Sequence, residues 1–155
     1  MEQDIILNEH NKEEHKPSHT AEHQLNQVMV RMFGCERSTN AHIERKKSKI
    51  NYILDQEPTQ EQIQEIERQM NNLIEQDLPV NYEFVTRDKI PEGVKLNKLP
   101  KDASETLRIV RIGDFDICPC IGLHVTSTRE IGFFHITSTS YKEGTFRIVF
   151  KVKSE

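Results

Sequence analysis

The sequence predicts an α+β domain in which an antiparallel sheet packs against two main helices. Three observations predict it. Two segments carry apolar residues at helical spacing. Several later segments alternate apolar and polar residues, as half-buried strands do. The links between those later segments are short. At 155 residues and 18.2 kDa, the chain can build one core but not two good ones.

Residues 1–16 are polar and aperiodic and are expected to be a tail, with DIIL (Asp4 to Leu7) as a candidate short strand. Residues 17–155 are read as a single domain. The first helix is predicted from Ser18, which can cap it, with Pro17 setting the chain's entry. Ala21, Leu25, Val28 and Met32 form its stripe, and Gly34 ends it. AHIERKKSKINYILD (Ala41 to Asp55) reads as two strands around a basic turn, with Ile50, Tyr52 and Leu54 alternating. Thr59 and Gln62 make a capping box for the second helix. Its apolar face is Ile63, Ile66, Met70, Leu73 and Ile74, and Pro79 is expected to stop it. In VNYEFV, Val80, Tyr82 and Phe84 share a face. Thr86 to Ser104, with Pro91 and Pro100, is an irregular connection with room for a short helix. TLRIVRIGDFDICPC gives one or two strands broken at Gly113. Ile131 to Val152 reads as a hairpin turning at KEG, with Phe146, Ile148, Phe150 and Val152 on one face.

A net charge of −4 excludes a generically basic nucleic-acid binder. The charge is uneven. Glu44 to Lys49 holds four cations and one anion, whereas Glu61 to Asp77 is strongly acidic. A local basic patch can still meet phosphates. No apolar run approaches the ~20 residues of a membrane span. The N-terminus has no secretory pattern. Three cysteines do not make a disulfide framework, and a reducing cytoplasm is expected.

The stretch KPSHTAEHQL places His19 and His23 four apart on a predicted helix, hence on one face. Two imidazoles so placed can share one zinc. Seven histidines in the chain also make a chance pair plausible. A hundred residues later, CPCIGLHV sets Cys120 and His124 at C-x-x-x-H spacing. Buried free cysteines are common core residues, so this half is weak alone. Together the halves give three imidazoles and a thiolate, a donor set that suits zinc. A competing match is H-x-x-E-H, an inverted zinc-peptidase signature with Glu22 as base. It leaves Cys120 and His124 without a role.

SHTAEHQLNQVMVRMFG followed by CIGLHVTSTREIGFFHI resembles the editing (second additional) domain of alanyl-tRNA synthetase and the short freestanding alanyl-tRNA editing proteins. That family pairs a helical HTAxH with C-x-x-x-H-V and a T-G-E-I-G-like turn. Thr128, Glu130, Ile131 and Gly132 match the turn, with Arg129 where glycine is usual. IQEIERQMNNLIEQDLPV is similar to its middle helix, and KEGTFRIVF to its closing strand. The resemblance runs from about His19 to Phe150 and implies the alanyl/threonyl editing-domain fold. It implies zinc held by His19, His23, Cys120 and His124. Cys118, two before Cys120, is a rival ligand with the wrong spacing to His124. Where the synthetase-type motif is C-G-G-T-H, this chain has Ile121 and Leu123 in place of a glycine and a threonine.

The activity implied is hydrolysis in trans of the ester of mischarged alanine tRNA carrying serine or glycine. A threonine that senses the serine hydroxyl falls near Thr39 or Asn40. Candidates to meet the tRNA are Arg45, Lys46, Lys47 and Lys49 in the basic turn, with a solvated hairpin tip as the plain alternative. Arg147 is another, or else pairs with an acid. Glu22 is read as a solvated helix residue, and Cys35, His42 and His135 as structural. His10 and His15 are assigned no role. The alternatives are a non-catalytic tRNA-binding relative with structural zinc, and a small H-x-x-E-H peptidase.

Overall fold

The first helix, α1 (Lys16–Phe33), begins two residues before the predicted start, in a computed structural model that describes residues 15–86 and 106–153. The expected DIIL strand, the tail up to residue 14 and the short helix for which residues 87–104 have room lie outside the described residues. His15, not Ser18, is the N-cap residue, and its carbonyl accepts the His19 N–H at 3.0 Å. Pro17 fits inside the first turn, where a missing N–H breaks no helical bond. Ser18 is buried and its hydroxyl is hydrogen-bonded with the His15 ring at 2.8 Å. At the far end Gly34 takes φ +70°, a left-handed cap whose N–H reaches the Val30 carbonyl. The helix buries Ala21, Leu25, Val28 and Met29 as its stripe requires. It also buries Thr20, His23, Gln24 and Asn26, more polar side chains than packing alone explains.

The strands β1 (Asn40–His42), β2 (Ser48–Ile53), β6 (Phe133–Lys142) and β7 (Thr145–Lys153) form an antiparallel sheet in the order β1-β2-β7-β6. The register sets Ile50 opposite Ile148 and Tyr52 opposite Phe146. Their face, with Phe134 and Phe150, is fully buried. Both helices pack on it, α1 against β7 and α2 (Gln60–Glu75) against β6. The capping box of Thr59 and Gln62 is formed, with bonds of 2.9 and 3.1 Å. Edge strand β6 is covered by α2. Asn71 exchanges two hydrogen bonds with the Phe134 backbone, at 2.8 and 2.9 Å, and Glu67 accepts the Ile136 N–H. Side chains thus complete a ladder that would otherwise be an open edge.

The remaining strands, β3 (Val80–Thr86), β4 (Thr106–Ile112) and β5 (Asp116–Pro119), form a second antiparallel sheet, β3-β4-β5. The expected single sheet is therefore two. Alternation identifies a strand but not its partner. This sheet meets α1 through β5, and β3 is its opposite edge. Val80 is accordingly buried, while Tyr82 and Phe84 on the same face are 43% and 70% exposed.

α2 ends at Glu75, four residues before the proline expected to stop it. A 3-10 turn (Thr128–Ile131) supplies the stop. The buried Thr128 hydroxyl donates to the Leu73 carbonyl and accepts the Leu78 N–H, at 3.0 and 2.8 Å. Arg129 donates to the Glu75 carbonyl at 3.0 Å, so the residue that departs from the usual glycine caps this helix. Ile131 is buried, and Gly132 takes φ +94°, a conformation other residues rarely adopt.

Candidate metal centre

α1 delivers His19 and His23 one turn apart. The loop after β5 delivers Cys120 and His124. One ligand atom from each of the four lies within 4.8 Å of the other three. The separation from His19 to Cys120 is 101 positions along the chain. Cys118 does not join: it sits in β5, its thiol directed to the Pro119 carbonyl.

The donor atoms fit a metal. Two ligands of a tetrahedral zinc, one sulfur and one nitrogen, stand ~3.6 Å apart for ordinary Zn–S and Zn–N lengths. Cys120 Sγ and His19 Nε2 are 3.7 Å apart. His23 Nδ1 and His124 Nε2 are buried with no hydrogen-bond partner among the described residues. Buried polar atoms left so are costly unless something else satisfies them. Burial, then the neighbouring rings, holds the His23 pKa well below its ordinary value. Burial, then His19 and Arg108, pushes His124 down to about 3. Both rings are therefore neutral near pH 7, the state that ligates.

Three of the four candidate ligands, His19, His124 and Cys120, are oriented by an outer partner. His19 Nδ1 donates to the Leu123 carbonyl at 3.0 Å, leaving Nε2 toward Cys120. Thr20 Oγ1 meets His124 Nδ1 at 2.9 Å and accepts the Val125 N–H at 3.1 Å. A neutral His124 ring that ligates through Nε2 would carry its proton on Nδ1 and donate it to Thr20. The Gly122 N–H donates to Cys120 Sγ at 3.3 Å. Arg108 on β4 donates to the carbonyls of Cys120 and Gly122 and lies 4.2 Å over the Tyr82 ring. The Tyr82 hydroxyl in turn accepts the His124 N–H at 3.0 Å. Thr20 lies inside the HTAxH stretch, so its motif position is the available signal. Arg108 and Tyr82 carry no local sequence signal, because their roles exist only once the second sheet forms.

Thr20→Val keeps the shape and removes both hydrogen bonds. It is expected to weaken metal affinity ~10–100-fold, as loss of outer-shell partners does. Competition with a chromogenic chelator measures it; unchanged affinity would sink this role for Thr20.

Glu22 is not simply solvated. It is half-buried, with Oε1 3.9 Å from His19 Nε2. Thr39 and Asn40 lie where the chain enters β1. The Ser38 N–H is held by Asn26 at 3.2 Å, and Arg37 reaches the His23 carbonyl at 3.5 Å. Thr39 and Asn40 line a cleft of about 1030 Å³ with Cys35 and Tyr52, and none of the four His/Cys residues lines it. Arg45, Lys46 and Lys47 are exposed in the β1–β2 turn, and Lys49 is exposed on β2. Arg147 is exposed on β7 and donates to Asn51 at 3.0 Å, an amide and not an acid. His42 pairs with Glu44 and His135 with Glu67, and the half-buried Cys35 thiol donates to the Met29 carbonyl. No helix among the described residues is long and apolar enough to cross a membrane.

A family model described as the threonyl and alanyl tRNA synthetase second additional domain matches residues 107–149. The chain is 38% identical over 120 residues to the alanyl-tRNA editing protein AlaX-L of Pyrococcus horikoshii, covering 76% of this chain and 28% of that protein. It is 30% identical over 129 residues to an alanine–tRNA ligase of Idiomarina loihiensis (82% of this chain, 15% of the ligase). It is 32% identical over 128 residues to that of Caldicellulosiruptor saccharolyticus (79% and 14%). The chain thus spans less than a third of each of these relatives. The matched segment runs from β4 into β7 and contains Cys120, His124 and the Thr128 turn. The chain is a relative of the alanyl-tRNA editing proteins and alanine–tRNA ligases, and its residues 107–149 match the second additional domain of threonyl and alanyl tRNA synthetases.

Proposed function

We propose that the chain is an aminoacyl-tRNA deacylase acting in trans, which hydrolyses the ester of mischarged alanine tRNA carrying serine or glycine and depends on zinc. The observation that carries the reading is the cluster of three imidazoles and one thiolate, assembled from two distant segments. It occurs in a chain similar to a protein named for alanyl-tRNA editing.

His19, His23, Cys120 and His124 would hold the ion. Zinc bound there supplies Lewis acidity and a lowered pKa for a coordinated water. The chain's own contribution is positional. Thr20 and the Leu123 carbonyl fix the rings of His124 and His19. Arg108 and Tyr82 fix the loop that carries the other two ligands. His23 and His124 are buried while His19 and Cys120 are partly open, so substrate approaches from the latter side. Four protein donors would leave a tetrahedral ion no open position, and His19 and Cys120 are the donors on the partly open side. The ester is already activated, which keeps the demand on the site modest. Thr39 and Asn40 are the proposed readers of the amino-acid side chain. None of the three cysteines is in a disulfide, which suits the reducing cytoplasm proposed for this activity.

A second reading, a tRNA-binding relative with structural zinc, is favoured by one observation. Ile121 and Leu123, which replace the glycine and threonine of the synthetase-type motif, are 60% and 48% exposed beside the ligands. One panel separates the readings. Alanine tRNA charged with serine, glycine or alanine is incubated with the protein, and zinc is measured on the same sample. Release of serine or glycine with alanine spared is expected; tight binding without release would favour the second reading. The panel includes Glu22→Gln. A general base is worth ~10²–10⁴-fold. A change below about threefold is expected here, because the ester chemistry is not assigned to Glu22. A loss of hundreds-fold in peptide cleavage would revive the H-x-x-E-H reading.

A further inference from the structure

The four-stranded sheet has a core face and a solvent face, and the paired registers fix which residues stand on each. Lys49 lies opposite Val149, Arg147 opposite Ser140 and Asn51, Lys151 opposite His135, Lys153 opposite Phe133, and Lys142 opposite Thr145. All these pairs are on the side away from Ile50, Phe146, Ile148 and Phe150. The chain holds 25 acidic and 21 basic residues, yet no Asp or Glu occupies an outward position in these registers. Among the described residues, none of the five Lys/Arg side chains on this face is in an ion pair. Acids stand at its margins: Glu44 pairs with His42, Glu67 with His135, Glu143 lies in the β6–β7 turn, and Glu36, Asp55 and Glu57 line the cleft at the Asn51 and Thr145 end.

Ordinary solvent faces mix both signs, and lysines that guard sheet edges belong on edge strands. Here Arg147, Lys151 and Lys153 are on β7, an interior strand, so edge protection does not account for them. At ~3.3 Å per residue, the first two are ~13 Å apart and the last two ~7 Å, a row suited to a regular line of charges. The β1 end of this face continues into residues 37–40, which Arg37 and Ser38 tie to α1 beside His23.

We propose that this face docks the phosphate backbone of an RNA helix, the acceptor arm of the tRNA substrate. The assignment of RNA rests on the deacylase reading; the polyanion character rests on the charges alone. Lys142, Lys151 and Lys153 thereby join Lys49, Arg147 and the basic turn as one surface. Each neutralised phosphate contributes through counterion release, so affinity falls steeply with salt.

The test is fluorescence anisotropy with labelled, uncharged alanine tRNA across a salt series. The variants are Arg147→Glu with Lys151→Glu, and the milder Arg147→Gln with Lys151→Gln, each checked for retained zinc. The reversal is expected to weaken binding at least ~tenfold, and each variant to flatten the slope of log K against log salt by about 0.9 for every phosphate that is no longer neutralised. Arg68→Glu, on the exposed side of α2, serves as the comparison and should bind as the parent does. Binding by both variants within about twofold of the parent, with the parental salt slope, would overturn the proposal. So would parental binding to phosphatidylserine vesicles that the reversal abolishes while RNA binding is absent. The RNA is uncharged, so binding through this face without ester hydrolysis retains the inference and rejects the deacylase. Hydrolysis with unaltered binding by the variants does the opposite.

Discussion

Replacing Cys120 with alanine is expected to strip the metal centre and to lower deacylation by more than the ~10–100-fold that an outer-shell change costs. Cys120 is the only one of the four that would bind an ion as an anion. Without it the three histidines face the ion with no compensating charge, and the Gly122 N–H loses its acceptor. An ion held there would also join α1 to a loop a hundred residues away. Removing it leaves His23 Nδ1 and His124 Nε2 buried without partners, a penalty of about 1–3 kcal/mol for each such group. The hydrophobic core is built by both helices and the four-stranded sheet, well beyond the ligand loop. The variant should therefore fold, melt somewhat earlier and no longer respond to a chelator. Cys118→Ala should keep both zinc and activity, since Cys118 lies outside the cluster. Metal analysis and single-turnover hydrolysis on both variants decide the matter. Full zinc with intact hydrolysis in Cys120→Ala would mean that the cluster is not the site of chemistry.

The sequence is legible where information is local. The Thr59–Gln62 box, the alternation of Phe146, Ile148, Phe150 and Val152, and the turn at Glu143 and Gly144 are all read within a few residues. The metal cluster is legible because motif spacing encodes geometry on each half: i, i+4 on a helix, C-x-x-x-H in a loop. Illegible features depend on pairing at a distance. Two sheets in place of one, the exposure of Tyr82 and Phe84, and Arg108 bracing the Cys120 loop all follow from which strands meet. The acid-free face is an intermediate case. Its residues alternate visibly in β7, but only the β2–β7–β6 register shows that Lys49, Arg147 and Lys142 share a side. The start of α1 differs from expectation because Ser18 is a good cap by composition, whereas Pro17 is better used inside the first turn.

The largest stability loss is expected from Asp116→Ala. Asp116 opens β5 and is 4% exposed. It accepts from Arg37 at 2.7 and 3.4 Å and from Gln27 at 2.8 Å. Burial acts to lower the Arg37 pKa, and Asp116, together with Cys118 and Tyr52, more than offsets it. Three parts of the fold converge there: α1 through Gln27, the segment after it through Arg37, and the strand that leads into Cys120. Truncating Asp116 leaves a mostly buried guanidinium without its counter-charge, which costs ~3–5 kcal/mol. At ~2–4 °C per kcal/mol for a domain this size, the melting point should drop by roughly 6–20 °C. Urea melts of the zinc-loaded protein measure the change. The double replacement Arg37→Met with Asp116→Leu removes both charges and should recover most of the loss, since a buried pair is often matched by well-packed apolar residues. If the single variant loses less than about 1 kcal/mol, the pair behaves as a surface bridge. Because Arg37 also reaches the His23 carbonyl, the single variant should loosen zinc as it loosens the fold. The double variant, which restores packing but not the bond to His23, shows whether the pair serves stability alone or also positions the metal helix.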